Sequence, residues 1–230
     1  MYICHCGTIP KGHEPGLPFI DFMSTTDTNY QQRRLEEADA RRKPKQVWIC
    51  GHSYVFWAEK RALSRSFGPQ LGIRVEDAKL HWIGKSGMMW DQLIPTLLNT
   101  RKLLPDPDVL VIHLGGNDLG KTKLVDILIR TRKDLKFIHE TFKNVILVWS
   151  DIVPRKAWNQ EESYKCLERS RRRVNRAIGK FMKSIGGYVI SHDSLVPESP
   201  GLFHLDGVLL SQSGTDVFNL DLLSVLETLI

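Results

Sequence analysis

The stretch Asp108-Val109-Leu110-Val111-Ile112-His113-Leu114-Gly115-Gly116-Asn117-Asp118 decides the fold. Its first seven residues form a nearly continuous apolar run. Such a run, with no polar alternation, predicts a strand covered on both faces, as in a parallel sheet flanked by helices. It stops at two glycines followed by Asn and Asp, residues that favour turns.

The same pattern recurs on either side. Residues 46–50, 78–83, 145–149 and 188–191 read as further strands. Between them, residues 54–67, 88–98, 121–142, 161–185 and 211–229 read as helices, the second despite Pro95. In the first helix Phe56, Trp57, Ala62 and Leu63 are the apolar positions. In the third, Leu124, Ile127, Leu128, Leu135 and Ile138 lie near helical spacing. This β-α alternation predicts a three-layer α/β/α sandwich with about five mainly parallel strands.

With 230 residues the chain fits one such domain, over 45–230, plus an extension over 1–44. The extension is rich in Gly, Pro, Thr and charge and is expected to be poorly ordered, apart from a short charged helix over 31–43 ended by Pro44. Its Cys4, His5, Cys6 and His13 match no zinc pattern with a second ligand pair, so no metal is expected. The start, Met1-Tyr2-Ile3-Cys4-His5-Cys6, lacks the basic and apolar regions of a signal peptide, and no apolar run is long enough to span a bilayer. An intracellular protein, cytoplasmic or nuclear, with no membrane partner is the expectation. The four cysteines, irregularly spaced, agree with it.

In a parallel sheet, ligands bind beyond the carboxyl ends of the strands. Several chemically useful residues fall there. Ser53 follows the first strand in Val47-Trp48-Ile49-Cys50-Gly51-His52-Ser53. Gly84 follows the second, Asn117 the third, and Asp206 lies before the last helix. A serine at a strand-to-helix turn is held at the surface over a helix N-terminus, whose N–H groups favour developing negative charge. Asn117 offers an amide donor. Asp206 could orient a histidine. Each residue taken singly also has a plain structural reading: Ser53 as an N-cap, Gly84 and Gly87 as turn glycines, Asn117-Asp118 and Asp206-Gly207 as turns.

As an ordered set these residues resemble the SGNH (GDSL-type) hydrolase superfamily over about residues 45–230. The first block, normally Gly-Asp-Ser, is Gly51-His52-Ser53. The second block's glycine is matched by Gly84, within Gly84-Lys85-Ser86. The third, Gly-x-Asn-Asp, is matched in full by Gly115-Gly116-Asn117-Asp118. The last, Asp-x-x-His, is Asp206-Gly207-Val208-Leu209. More narrowly, the runs from Gly51 to Trp57 and from His113 to Asp118 resemble the SGNH-like domain of vertebrate tyrosine-recombinase retrotransposons of the Ngaro and DIRS type, which implies a mobile-element origin.

The resemblance implies a flavodoxin-like fold and ester hydrolysis through a serine acyl-enzyme on small acyl or acetyl esters, without cofactor or metal. It makes Ser53 the nucleophile. The Ser53 and Gly84 N–H groups and the Asn117 side chain would form the oxyanion hole, and Asp206 would be the acid. Two departures follow. His52 stands where the first block has Asp, a position that is neither nucleophile nor base. Leu209 stands at the base position, and leucine cannot accept a proton. The expectation is therefore a weak or inactive esterase, a pseudoenzyme, unless another histidine substitutes. His204 is the first candidate, ahead of His52 and His192. His113, within the apolar strand, reads as a core or rim residue.

Two further readings compete. The net charge of +6 suits both a generic surface and nucleic-acid binding, and Arg169, Arg172, Arg173 and Arg176 share one face of the basic helix. Such a face would make the chain a non-catalytic, nucleic-acid-associated module. Met88, Met89 and Trp90 would either pack as core or offer a partner surface.

Overall fold

The computed structural model describes residues 43–158 and 163–230. The expectations for the first 42 residues, including the short helix and the Cys/His group, fall outside the described residues.

Five strands form one sheet: β1 (Lys45–Gly51), β2 (Ala78–Gly84), β3 (Val109–His113), β4 (Ile146–Ser150) and β5 (Tyr188–Ile190), in the order β2-β1-β3-β4-β5. Every neighbouring pair is parallel. The helices are α1 (Ser53–Leu63), α2 (Leu93–Thr100, entered through a 3-10 turn at Trp90–Gln92), α3 (Leu124–Thr141), α4 (Tyr164–Ser184) and α5 (Gln212–Leu229). The expected three-layer α/β/α architecture is the one observed.

Strand residues alternate between the two faces, and both faces are buried. Val47, Ile49, Val109, Val111 and Val148 pack with the inner residues of α1 and α5, such as Val55, Ala58, Phe218 and Leu222. Trp48, Cys50, Leu110, Ile112 and Trp149 point the other way, onto α2, α3 and α4. Both sides being apolar is why the strands read as runs rather than as alternation.

Two expectations for the first helix shift. The first helix ends at Leu63, not at 67. The Ser64 and Arg65 N–H groups turn back to the carbonyls three residues earlier, and Gly68-Pro69 follows. Its buried face is Tyr54, Val55, Ala58 and Ala62, while Trp57 and Leu63 are exposed. Met88 and Trp90 are core, so they offer no partner surface. Pro95 is tolerated because it sits in the first turn of α2, where N–H groups lack intrahelical acceptors. Among the described residues no helix is long and apolar enough to cross a membrane.

Candidate active site

The parallel sheet brings the carboxyl ends of β1, β2 and β3 to one rim, and each carries a residue that the sequence singled out. Ser53 is the first residue of α1. Its N–H is among those at the helix start that lack an intrahelical acceptor, so it can meet an oxyanion. The capping is done by His52 instead: its Nδ1 accepts from the Tyr54 N–H at 3.3 Å. Among the described residues Ser53 Oγ has no hydrogen-bond partner, so no base is in place on it.

His52 cannot fill that role. It is buried, its Nδ1 is occupied, and burial together with the nearby Arg155 charge pushes its pKa down to about 3. His192 is also excluded. It is committed within a buried chain that runs across the ends of β3, β4 and β5: His113 Nδ1 to Ser150 Oγ at 2.9 Å, Ser150 Oγ to His192 Nε2 at 2.8 Å, and His192 Nδ1 to Asp221 Oδ2 at 2.7 Å. With a neutral His192, the links run from His113 Nδ1–H to Ser150 Oγ, from Ser150 O–H to His192 Nε2, and from His192 Nδ1–H to the Asp221 carboxylate. This is the connectivity of a Ser-His-Asp triad, but Ser150 is fully buried and unavailable to substrate. His113, read as core or rim, is core.

Asp206 lies in a turn between Phe203 and Leu210, which pair as an isolated bridge. Its Oδ1 accepts from the Val208 and Leu209 N–H groups at 2.8 and 2.9 Å. Burial opposes ionisation, but these hydrogen bonds and the neighbouring His204 outweigh it and hold the carboxyl below the ordinary carboxylate range. The turn is anchored from two sides: Tyr54 Oη donates to Val208 O at 2.6 Å, and Ala157 N donates to Gly207 O at 2.9 Å. Leu209 packs its side chain against the core beneath. His204 is exposed, and its Nδ1 accepts from the Asp206 N–H at 3.4 Å and lies 3.4 Å from Asp206 Oδ2. The turn thus places a histidine beside the Asp206 carboxylate, on the N-terminal side of it.

Asn117 Nδ2 donates to Met88 O at 3.0 Å, leaving one N–H free, and its Oδ1 accepts from Arg155 Nη2 at 3.0 Å. Arg155 was not singled out by the sequence. It is buried, stacks on Trp158 with 4.9 Å from Cζ to the ring centroid, and lies beside the Tyr54 hydroxyl. Only the tertiary structure shows that the loop after β4 delivers this cation to the rim. A Cβ on Gly116 would stand 3.1 Å from Arg155 Nη2, so that the guanidinium would have to give by a few tenths of an ångström, and 3.4 Å from His52 Nε2.

Gly84 has a packing role. A Cβ there would lie 2.4 Å from Phe56 N and 2.6 Å from Phe56 Cα, both backbone atoms of α1. Lys85 N donates to Gly51 O, so by strand alternation the Gly84 N–H points off the free edge of β2. Gly84→Ala is expected to lower stability by about 1–3 kcal/mol or more through overpacking, read as a shifted urea midpoint. Gly87, by contrast, has φ +72° with open space around it, and it precedes Met88, whose carbonyl holds Asn117.

Beside the turn lies a pocket of about 370 Å³, lined by Trp57, Lys60 and Arg61 of α1 and by His204, Leu209 and Leu210. Ser53, Trp57, Lys60 and Arg61 follow helical spacing, so the pocket continues the α1 stripe that starts at Ser53. Arg61 is held by Asp216 at 2.7 Å. Among the described residues no group of three His, Cys, Asp or Glu could hold a metal ion.

The chain is similar in structure to several hydrolases. A GDSL-like lipase from Bacteroides thetaiotaomicron superposes with a TM-score of 0.62 at 18% identity, over 88% of this chain and 98% of its own. A member of the lipolytic G-D-S-L family from Veillonella parvula gives 0.58 at 12% identity, over 78% and 97%. An alpha/beta hydrolase from the metagenome of Lake Arreo gives 0.57 at 14% identity, over 79% and 94%. No protein-family model and no curated protein matches the chain. The fold is therefore that of GDSL-like hydrolases. The narrower likeness to mobile-element domains finds no support in these neighbours.

Proposed function

We propose that this chain is a GDSL-type serine esterase domain whose own hydrolytic activity on small acyl esters is weak or lost. The observation that carries this reading is Leu209. It stands where the Asp-x-x-His pattern has its base, in a turn whose Asp206 still accepts from the Val208 and Leu209 N–H groups, while among the described residues Ser53 Oγ has no hydrogen-bond partner. In the working order of such a site Ser53 attacks the ester carbonyl. The Ser53 N–H, the free Asn117 N–H and the turn after β2, at Gly87 in preference to Gly84, receive the oxyanion. Asp206 would orient a base. Without that base the serine stays a neutral hydroxyl and a poor nucleophile. The Asp206–His204 pair supports His204 as the residue through which any remaining turnover runs. A mobile-element origin belongs to this proposal on the strength of the runs Gly51–Trp57 and His113–Asp118 alone, as does an intracellular setting.

The test is covalent labelling with an activated fluorophosphonate, read by intact mass. Labelling of the native chain is expected to be slower by about 10²-fold or more than that of Leu209→His, the range a positioned base contributes. Rapid Ser53 labelling of the native chain, abolished by His204→Ala, would instead make His204 a working base and the chain an active esterase.

A further inference from the structure

Charge is distributed unevenly between the two helical layers. The helix α4 carries eight Lys and Arg residues and one acid, Glu168, a net of +7, against +6 for the whole chain. Everything outside this helix therefore sums to about neutral. On the other face of the sheet, α5 carries Asp216, Asp221 and Glu227 and no Lys or Arg. The neighbour of α4 on its own side, α3, does not neutralise it, having four cations and three acids. Two of those acids are already engaged, Asp134 with Trp90 Nε1 and Glu140 with Lys136.

The excess lies on the outer face. Glu168 and Arg171 form a half-buried pair at 2.6 Å, and Arg171 also donates to Ile152 O, so this arginine serves the fold. Arg172 shares Glu168 but is 71% exposed at its side chain. Arg169, Arg173 and Arg176 are exposed and carry no ion pair among the described residues. With Arg172, Tyr164, Lys165 and Glu168, whose carboxylate is already engaged by Arg171 and Arg172, they line a shallow groove of about 470 Å³ along the helix.

We infer that this face of α4 binds the phosphate backbone of nucleic acid without reading its sequence. Arginine, rather than lysine, dominates the groove, and its planar fork suits phosphate oxygens. From Arg169 to Arg176 the helix rises about 10 Å, which spans about three phosphates of one strand. The groove offers one aromatic residue, Tyr164, and no interleaved set for stacking bases, so the contact is to the backbone. An anionic bilayer is the poorer fit. The apolar face of α4, with Leu167, Val174, Ile178 and Met182, is already buried in the core and leaves nothing to insert. This inference is independent of the hydrolase reading, because the surface and its readout do not involve Ser53.

The experiment is fluorescence anisotropy of the full chain with a labelled duplex of about 20 base pairs, titrated from about 50 to 200 mM salt. The expected result is equal binding to two unrelated sequences, with a log–log salt slope of about −3 to −4, the value for about four phosphate contacts. The triple variant Arg169→Gln/Arg173→Gln/Arg176→Gln, all at exposed sites, is expected to reduce that slope by about 2 to 3 and to weaken binding at low salt by about tenfold or more. The triple variant Lys121→Gln/Lys123→Gln/Lys143→Gln removes the same charge from other exposed sites and is expected to leave the slope unchanged. Absence of binding at about 50 mM salt would overturn the inference. So would equal loss in both triple variants, which would make the effect one of net charge. Preferential binding to phosphatidylserine-containing vesicles over the duplex would overturn it in favour of a membrane.

Discussion

Replacing Leu209 with histidine is expected to raise Ser53-dependent hydrolysis of a short activated acyl ester by about 10²–10⁴-fold, the usual contribution of a positioned general base. The turn that would carry the new side chain is held by main-chain groups. Asp206 Oδ1 accepts from the N–H groups of residues 208 and 209, and Tyr54 and Ala157 pin the carbonyls of Val208 and Gly207. None of these contacts uses the leucine side chain, so histidine inherits the backbone position. Asp206 Oδ2 faces His204 Nδ1, which would compete for the carboxylate. His204→Ala in the Leu209→His background is therefore expected to raise turnover further. Ser53→Ala in that background should return hydrolysis to the native level. A Leu209→His chain that melts like the native one yet gains nothing would show that the rim itself is defective, most directly through the engagement of Asn117 by Met88 and Arg155.

The second large effect is on acid stability. Three imidazoles, His52, His113 and His192, lie buried side by side at the carboxyl end of the sheet, with ring centroids 4.7 Å apart for the first pair and 5.8 Å for the second. Burial and the Arg155 charge bring His52 down to about 3. Burial, then the neighbouring His52, His192 and Arg155, holds His113 well below the ordinary imidazole range. In both, the folded state binds the proton less tightly than the unfolded state. Their contribution is thus complete above the unfolded pKa near 6.5 and is lost as pH falls toward the folded value. For His52 the loss reaches about 2 kcal/mol at pH 5. His113 acts in the same direction. Asp118 opposes them: burial raises its carboxyl to about 6, so the folded state gains a proton below that pH, an offset of about 1.4 kcal/mol at pH 5. Denaturant midpoints are expected to fall from pH 6.5 to pH 5.

His113→Phe isolates the effect. The ring already stacks on Tyr54 and meets Phe218 edge-on, so phenylalanine fits the cluster. The change removes the buried Nε2, which has no partner, and leaves Ser150 bonded to His192. The variant should lose less stability than the native chain between pH 6.5 and pH 5, because its unfolded state no longer takes up a proton at this position. An unchanged slope would show that His113 does not titrate with unfolding.

How much of this was readable in advance follows from the range of the interactions involved. All five strands and all five helices were legible, with ends displaced by a few residues, because a sheet buried on both faces imposes local apolar runs. The positions of Ser53 and Asn117 at the rim were legible for the same reason, since a strand end is a local signal, whereas Asp206 was legible only as part of the loop before the last helix. The face of α1 was misread at Trp57 and Leu63, where apolar spacing alone does not say which side meets the sheet. The buried Ser150–His192–Asp221 chain and the arrival of Arg155 were not legible at all. They join residues 29 to 42 positions apart, or deliver a loop residue across the sheet, and such contacts leave no periodic trace.

The sequence by itself determined the fold class and the placement of Ser53 and Asn117 just past strand ends, because each is written in residue type and local spacing. Only the tertiary structure decided which histidines are free. His52 and His192 are consumed by hydrogen bonds and burial, while His204 stays exposed beside Asp206. It likewise decided that Gly84 serves the packing of α1 and that the arginine face already legible on α4 is the exposed one, since burial and proximity exist only once the chain has folded.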